Sequence, residues 1–239
     1  MSKTIISNEQ NENIFLLSRM YKETIFQNRL PVLYNKFYNS KNQLLFIGLN
    51  PSFSDNSIKG LKKTKEEYLN FFSHKELNEE HIKEIIEVHE NSLEEYPYFN
   101  KFKSVVRSLE KENTNFAHID LFHCRRTSQK DLIHQLENEL SKDDKDFFIS
   151  KSIEILENLI LQISPKILII ENTATRDYLI KYSSFPEVYS INEKFGTPLL
   201  NQSVPVFYTS MLTGQRALDL GSFNRLIWHI KHCLSLLEE

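Results

Sequence analysis

Four short apolar runs, each about the length of a strand and each followed by helix-length stretches, constrain this chain most. They are LLFIG (44–48), FAHIDLF (116–122), KILIIE (166–171) and VPVFYTS (204–210). None shows the clean alternation of a half-wet strand, so each reads as a strand buried on both faces. Helical spacing fills the intervals. From about Asn11 to Gln27, Ile14, Leu17, Tyr21 and Ile25 share one face. Helical patterns over 63–73, 77–90 and 100–112 follow the first run, and those over 130–140 and 146–163 follow the second. TATRDYLIKY (173–182) opens with a capping threonine after the third. The last helix starts near Leu218 to Ser222, with Phe223, Leu226, Ile227, Ile230 and Leu234 on one face. Strands alternating with helices predict an α/β fold: a three-layer sandwich with a central, mostly parallel four-stranded sheet flanked by helices. No linker or internal repeat interrupts it. One domain over 1–239 is expected, with an N-terminal helix (about 11–27) and a charged helical insertion (about 55–98).

Composition removes several classes. Five glycines in 239 residues are about a third of the usual ~7%. That excludes collagen-like and Gly-rich chains, and makes each glycine kept likelier to answer a backbone need. The net charge of −3 builds in no bulk attraction to nucleic acid, so DNA binding requires a local basic patch. Two cysteines, Cys124 and Cys233, are too few for a disulfide scaffold or a four-cysteine metal site. No stretch approaches 18 apolar residues, and the polar start MSKTIISNEQNEN lacks a signal-peptide core. A cytoplasmic monomer with no membrane partner is the expectation.

In an open parallel sheet, ligands bind outside the carboxyl ends of the strands. The residues there are Gly48-Leu49-Asn50-Pro51-Ser52, Asp120 through Arg126, Glu171-Asn172-Thr173, and Thr209 through Arg216. Polar residues and two of the five glycines gather at these positions, as at a site.

These segments carry a resemblance. GLNPS after an apolar strand resembles the first motif of the uracil-DNA glycosylase superfamily, especially the GINP form of its mismatch-specific branch. HIDLFHCRR resembles the T-N-V-V-K-C-R-P strand of the iron-sulfur branch. SPKILIIENTATRDYL is similar to the superfamily's P-K-strand-G-x-x-A-x-x-x-L segment, and VPVFYTSMLTGQR stands where the final strand and its H-P-S loop belong. The likeness spans residues 44 to about 232, through four short motifs in the family's order.

The resemblance implies a DNA glycosylase-like hydrolase that cleaves the N-glycosidic bond of a damaged or modified base, without a cofactor or metal. Asn50 would position the attacking water, and Ser210 would stand in the loop that steadies the leaving base. Gly48, Leu49, Pro51, Ser52 and Phe53 would form the turn against the substrate. YPYFNKFKSVV resembles the segment that stacks on the flipped base, which points to Phe99, with Tyr98 and Phe53 as rivals. Asp120 would read the base edge. Arg125, Arg126, Gln215 and Arg216 would contact DNA phosphates.

The chemistry agrees with such a site. Cleaving this bond requires a base held out of the stack between an aromatic face and edge-reading polar groups. Donors aimed at the departing base lower the barrier. The chain also departs from the pattern. No histidine lies between His134 and His229, so the H-P-S loop has lost its imidazole. Asp120 replaces an asparagine with an acceptor-only carboxylate, which suits a base with more donors than uracil, such as cytosine or adenine. Only Cys124 remains of the cluster cysteines.

Plainer readings stand beside these. Asn50-Pro51 is also an ordinary turn dipeptide. Arg125-Arg126 also reads as a solvated loop, and Phe99 as core. His118, His123 and Cys124 read as packing or solvated residues before metal ligands. KGLKKTK (59–65) reads as a solvated helix start, and Trp228 and His229 as packing residues. Two further functions compete with hydrolysis of DNA: a non-catalytic nucleic-acid or nucleobase-binding module of the same fold, and an enzyme of free nucleosides or nucleotides.

Overall fold

All four apolar runs join one sheet. In the computed structural model, which describes residues 9–27, 29–34, 42–52, 54, 57, 64, 66–67, 79–110, 114–183, 197–199, 202–213 and 217–237, the chain begins with α1 (Glu9–Met20) and β1 (Asn42–Gly48). There follow α2 (Glu79–Glu95), a 3-10 turn (Pro97–Phe99), α3 (Asn100–Leu109) and β2 (Thr114–Asp120). Next come α4 (Gln129–Asn138), α5 (Lys142–Ile163), β3 (Ile167–Ile170) and α6 (Thr173–Tyr182). The chain ends with β4 (Thr197–Leu199), β5 (Gln202–Val204), β6 (Val206–Tyr208) and α7 (Leu220–Leu236). The sheet order is β2-β1-β3-β6, and every pairing is parallel. This is the expected α/β fold. The antiparallel pair β4–β5 was not expected from the sequence, because the run beginning at Val204 reads as one strand.

Contacts divide the chain into two compact units. One comprises Met1–Lys36, Asn50–Phe99 and Phe122–Ile155; the other comprises Phe37–Leu49, Asn100–Leu121 and Leu156–Glu239.

The second unit holds the sheet. Leu44 through Ile47 and Ile167 through Ile170 are all buried, so both faces of β1 and β3 are covered, as continuous apolar runs require. One face bears an aromatic row. Phe46 meets Phe102 of α3 edge-on at 4.9 Å, Phe116 lies beside Phe46, and Lys101 of α3 sits over the Phe223 ring of α7. Each fully buried large side chain of this kind contributes about 1.5–3 kcal/mol. Asn172 caps α6, its side-chain oxygen accepting from Ala174 N–H at 2.8 Å. Asp219 does the same for α7 through Ser222 N–H. α7 buries Phe223, Leu226, Ile230, Cys233 and Leu234. Trp228, read from the sequence as a packing residue, is instead 59% exposed, because it lies two positions from Leu226 and from Ile230, on the opposite side of the helix.

The first unit is mostly helical. Tyr21, Phe26, Phe122 and Phe148 form its aromatic centre. The 30–32 segment runs antiparallel to 123–125, with Val32 N–H donating to His123 O at 2.8 Å and Arg125 N–H to Leu30 O at 3.3 Å. Asn11 clamps Tyr34 at both its carbonyl and its N–H. Of the expected charged insertion, α2 lies within the described residues. Thr64 and Glu67 form a reciprocal helix-start capping pair, and most of the rest lies outside.

Candidate functional site at the strand ends

In the second unit, three adjacent strands end in a polar row. The parallel register sets Gly48 opposite Asp120 on one side, and Glu171 follows Ile170, the partner of Ile47, on the other. Glu171 N–H donates to Ile47 O at 3.1 Å and Leu121 N–H to Gly48 O at 3.0 Å, which extends both ladders past the strand ends. His118 and Asp120 are two apart on β2 and so share a face. From there His118 reaches across β1: its Nε2 lies 2.9 Å from Glu171 Oε1, and its Nδ1 lies 3.8 Å from Asp120 Oδ2. Phe102 closes edge-on against the imidazole at 5.5 Å.

Gly48 makes this crossing possible. A β-carbon there would collide with the Asp120 carboxylate and sit 3.3 Å from two atoms of the His118 ring. The middle strand has to be bare where its two neighbours join hands, which is one position where the scarce glycine answers a close approach.

The three side chains are 4%, 2% and 1% exposed for His118, Asp120 and Glu171. Burial by itself pulls the His118 pKa down. The Asp120 charge, then the hydrogen bond and charge of Glu171, outweigh it, so His118 keeps its proton above the ordinary histidine range. The imidazole thus sits between two acidic side chains that favour its protonated form. Among the described residues, no group of three or more His, Cys, Asp or Glu is arranged to hold a metal ion.

The first unit contains the other part of the expected site. Asn50 Nδ2 donates to Pro51 O at 3.2 Å and to Arg126 O at 2.9 Å. Both partners are carbonyls, so the orientation of the amide is fixed. Its Oδ1 is buried and accepts no hydrogen bond among the described residues. Pro51 is buried and its carbonyl also accepts from Arg126 N–H at 2.8 Å. Ser52 O accepts from Arg125 Nη1 at 3.2 Å.

The two arginines meant for phosphates are engaged with the protein's own backbone. Arg125 is 2% exposed, and Arg126 Nη2 donates to Ile25 O at 2.8 Å and Thr24 O at 3.3 Å. Here the guanidiniums tie the 21–27 turn and the Asn50 loop to the segment after β2. Phe99 is buried, against Tyr98 at 5.1 Å and 90°. Tyr98, its rival as a stacking ring, is half-buried.

Back in the second unit, Leu49 is buried and Ser210 exposed. Tyr208 and Thr213, on either side of Ser210, have buried hydroxyls without a partner among the described residues. Phe53, Gln215 and Arg216 lie outside the described residues. The structure thus joins Asn50, Pro51, Ser52, Arg125 and Arg126 in one hydrogen-bonded loop cluster. It joins Gly48 and Asp120, separately, with two residues absent from the expected site, His118 and Glu171. Their signal was present: a histidine two before Asp120, and an acid ending the next buried run. Which strand lay between them was not. No family model and no curated protein matches this chain. No helix among the described residues is long and apolar enough to cross a membrane.

Proposed function

We propose that the chain hydrolyses the N-glycosidic bond of a nucleobase in DNA, with Asn50 holding the attacking water. The observation that carries this reading is the Asn50 amide. Two backbone carbonyls hold its nitrogen, and the buried oxygen keeps unused acceptor capacity. A buried acceptor left open costs about 1–3 kcal/mol, which a bound water removes. A water donating one hydrogen to Oδ1 has its lone pair free to attack the anomeric carbon as the base departs with the bonding electrons. An amide is no base, so the water adds after the sugar cation has formed, and its proton passes through solvent to the departed base anion.

The direct test incubates the protein with duplexes and single strands containing uracil, hypoxanthine or a mismatch, and measures abasic sites. No abasic product from any of them, beside an active control glycosylase, refutes the reading. Asn50→Ala should slow product formation at least about tenfold, the low end for losing a positioned catalytic group; an unchanged rate removes Asn50 from the mechanism. The second reading, base binding without hydrolysis, draws on the missing loop histidine. It predicts salt-dependent DNA binding with intact strands in the same assay.

A further inference from the structure

We propose that the outer face of α7, centred on Trp228, is a stacking platform for single-stranded nucleic acid. Arg225, Trp228, His229 and His232 fall at i, i+3, i+4 and i+7, so they follow one another along one side of the helix. That side is turned away from the buried Phe223, Leu226, Ile230 and Leu234. Trp228 stacks nearly parallel on His232, with ring centroids 5.4 Å apart at 16°, and His229 meets it edge-on at 5.0 Å. The indole is therefore held by two rings while 59% of its residue surface faces solvent.

The helix that carries this ring has charged side chains of one sign. Leu220–Leu236 contains Arg225, His229, Lys231 and His232 and no Asp or Glu, in a chain whose net charge is −3. Among the described residues Glu110 lies 3.6 Å from Lys231 in an exposed pair, and Arg225 stands one turn before the ring. Arg225 and His232 together hold the His229 pKa below its usual value, after the larger effect of burial. Arg225 is the fixed positive charge on this side of the helix, and it invites an anion. A base supplies a π face for the indole, and its phosphate supplies the negative charge for Arg225, in the combination that sequence-tolerant single-strand binders use. A protein partner would need a broad apolar area, whereas a single exposed ring with an arginine one turn away suits a base of a strand. The face lies on a different element from Asn50, and its test needs no turnover, so hydrolysis and platform succeed or fail separately.

Trp228 is the sole tryptophan of the chain, so intrinsic fluorescence reports on this ring alone. The full chain is titrated with unlabelled oligo-dT, oligo-rU and a duplex of the same length at two salt concentrations. Saturable quenching by the single strands, weaker with duplex and weaker at high salt, is expected. Anisotropy of a labelled oligo-dT then compares variants whose circular dichroism matches the parent. Trp228→Ala should weaken binding at least about fivefold, the low end of a lost base stack. Trp228→Phe should recover part of it, and Arg225→Ala should lower the salt slope by about one. Absence of quenching by either single strand overturns the proposal, as does unchanged affinity in Trp228→Ala. Fluorescence that changes with protein concentration alone identifies a second copy as the occupant, and also overturns it.

Discussion

His118 and His123 stand five residues apart and both are buried, yet their pKa values move in opposite directions. His118 ends up between Asp120 and Glu171 in the second unit, and its pKa is raised despite burial. His123, in the first unit, lies edge-on to Tyr34 at 5.7 Å, with Nδ1 3.2 Å from the Tyr34 hydroxyl. Among the described residues no carboxylate offsets its burial, and its pKa falls to about 3. The same residue type, buried in both places, thus holds its proton more tightly in one and gives it up more readily in the other. Depth sets the size of the desolvation cost, and the neighbours decide which protonation state bears it.

The largest effect should come from removing the cation. His118→Ala leaves Asp120 and Glu171 as buried charges without their common counter-ion, a loss of about 3–5 kcal/mol for a broken buried pair. Denaturant unfolding near neutral pH checks it. A cost below about 1 kcal/mol would mean that the two acids are already protonated, and that the bridge is a neutral hydrogen-bonded chain.

A somewhat smaller effect should divide the two rings by pH. Unfolded, both titrate near 6.5. The contribution of His118 to stability is complete below that value and is lost as pH rises through its raised folded pKa. The contribution of His123 is complete above about 6.5 and is lost as pH falls toward 3, by an order of a few kcal/mol. Imidazole NMR titrations should show the two rings moving to opposite sides of the ordinary histidine value. Glu171→Gln should bring His118 down toward its neighbour, and an unmoved His118 titration would show that Glu171 does not hold the proton.

Gly48→Ala tests the geometry behind the first ring without changing any charge. The added methyl meets the Asp120 carboxylate and the His118 ring, so a loss of about 1–3 kcal/mol, typical of overpacking, should come with a lowered His118 pKa. Equal stability would show that the row has slack.

Much of this contrast was half legible in the sequence. Buried strands announce themselves as unbroken apolar runs, so β1, β2, β3 and β6 were readable, as was the phase of α7. The helix phase alone also turns Trp228 outward, since Leu226 and Ile230 bracket it at two residues each way. Asp120 was found as a strand-end polar residue. The link from His118 to Glu171 was hidden because it depends on β1 lying between β2 and β3, and sequence order says nothing about spatial order in a sheet. His123 was hidden for another reason: its burial comes from the 30–32 segment pairing with 123–125, a contact between distant stretches with no shared pattern. The antiparallel β4–β5 pair was lost because three-residue strands carry too few positions for any period to show.

The smallest expected effect falls on the second ring and closes the comparison. His123→Leu removes an imidazole that is neutral at physiological pH and replaces it with an apolar group of similar bulk. What is lost is the contact with the Tyr34 hydroxyl, worth about 1 kcal/mol as a net hydrogen bond. The other ring nitrogen, Nε2, has no partner among the described residues, so its removal recovers part of that loss. Near pH 7 the variant should therefore unfold within about 1 kcal/mol of the parent. Below pH 5 it should become the more stable of the two, because it has no buried base left to protonate. Stability curves measured from pH 7 to pH 4 should cross. If they stay parallel, His123 does not titrate on unfolding, and the difference between the two rings rests on something other than the carboxylates beside His118.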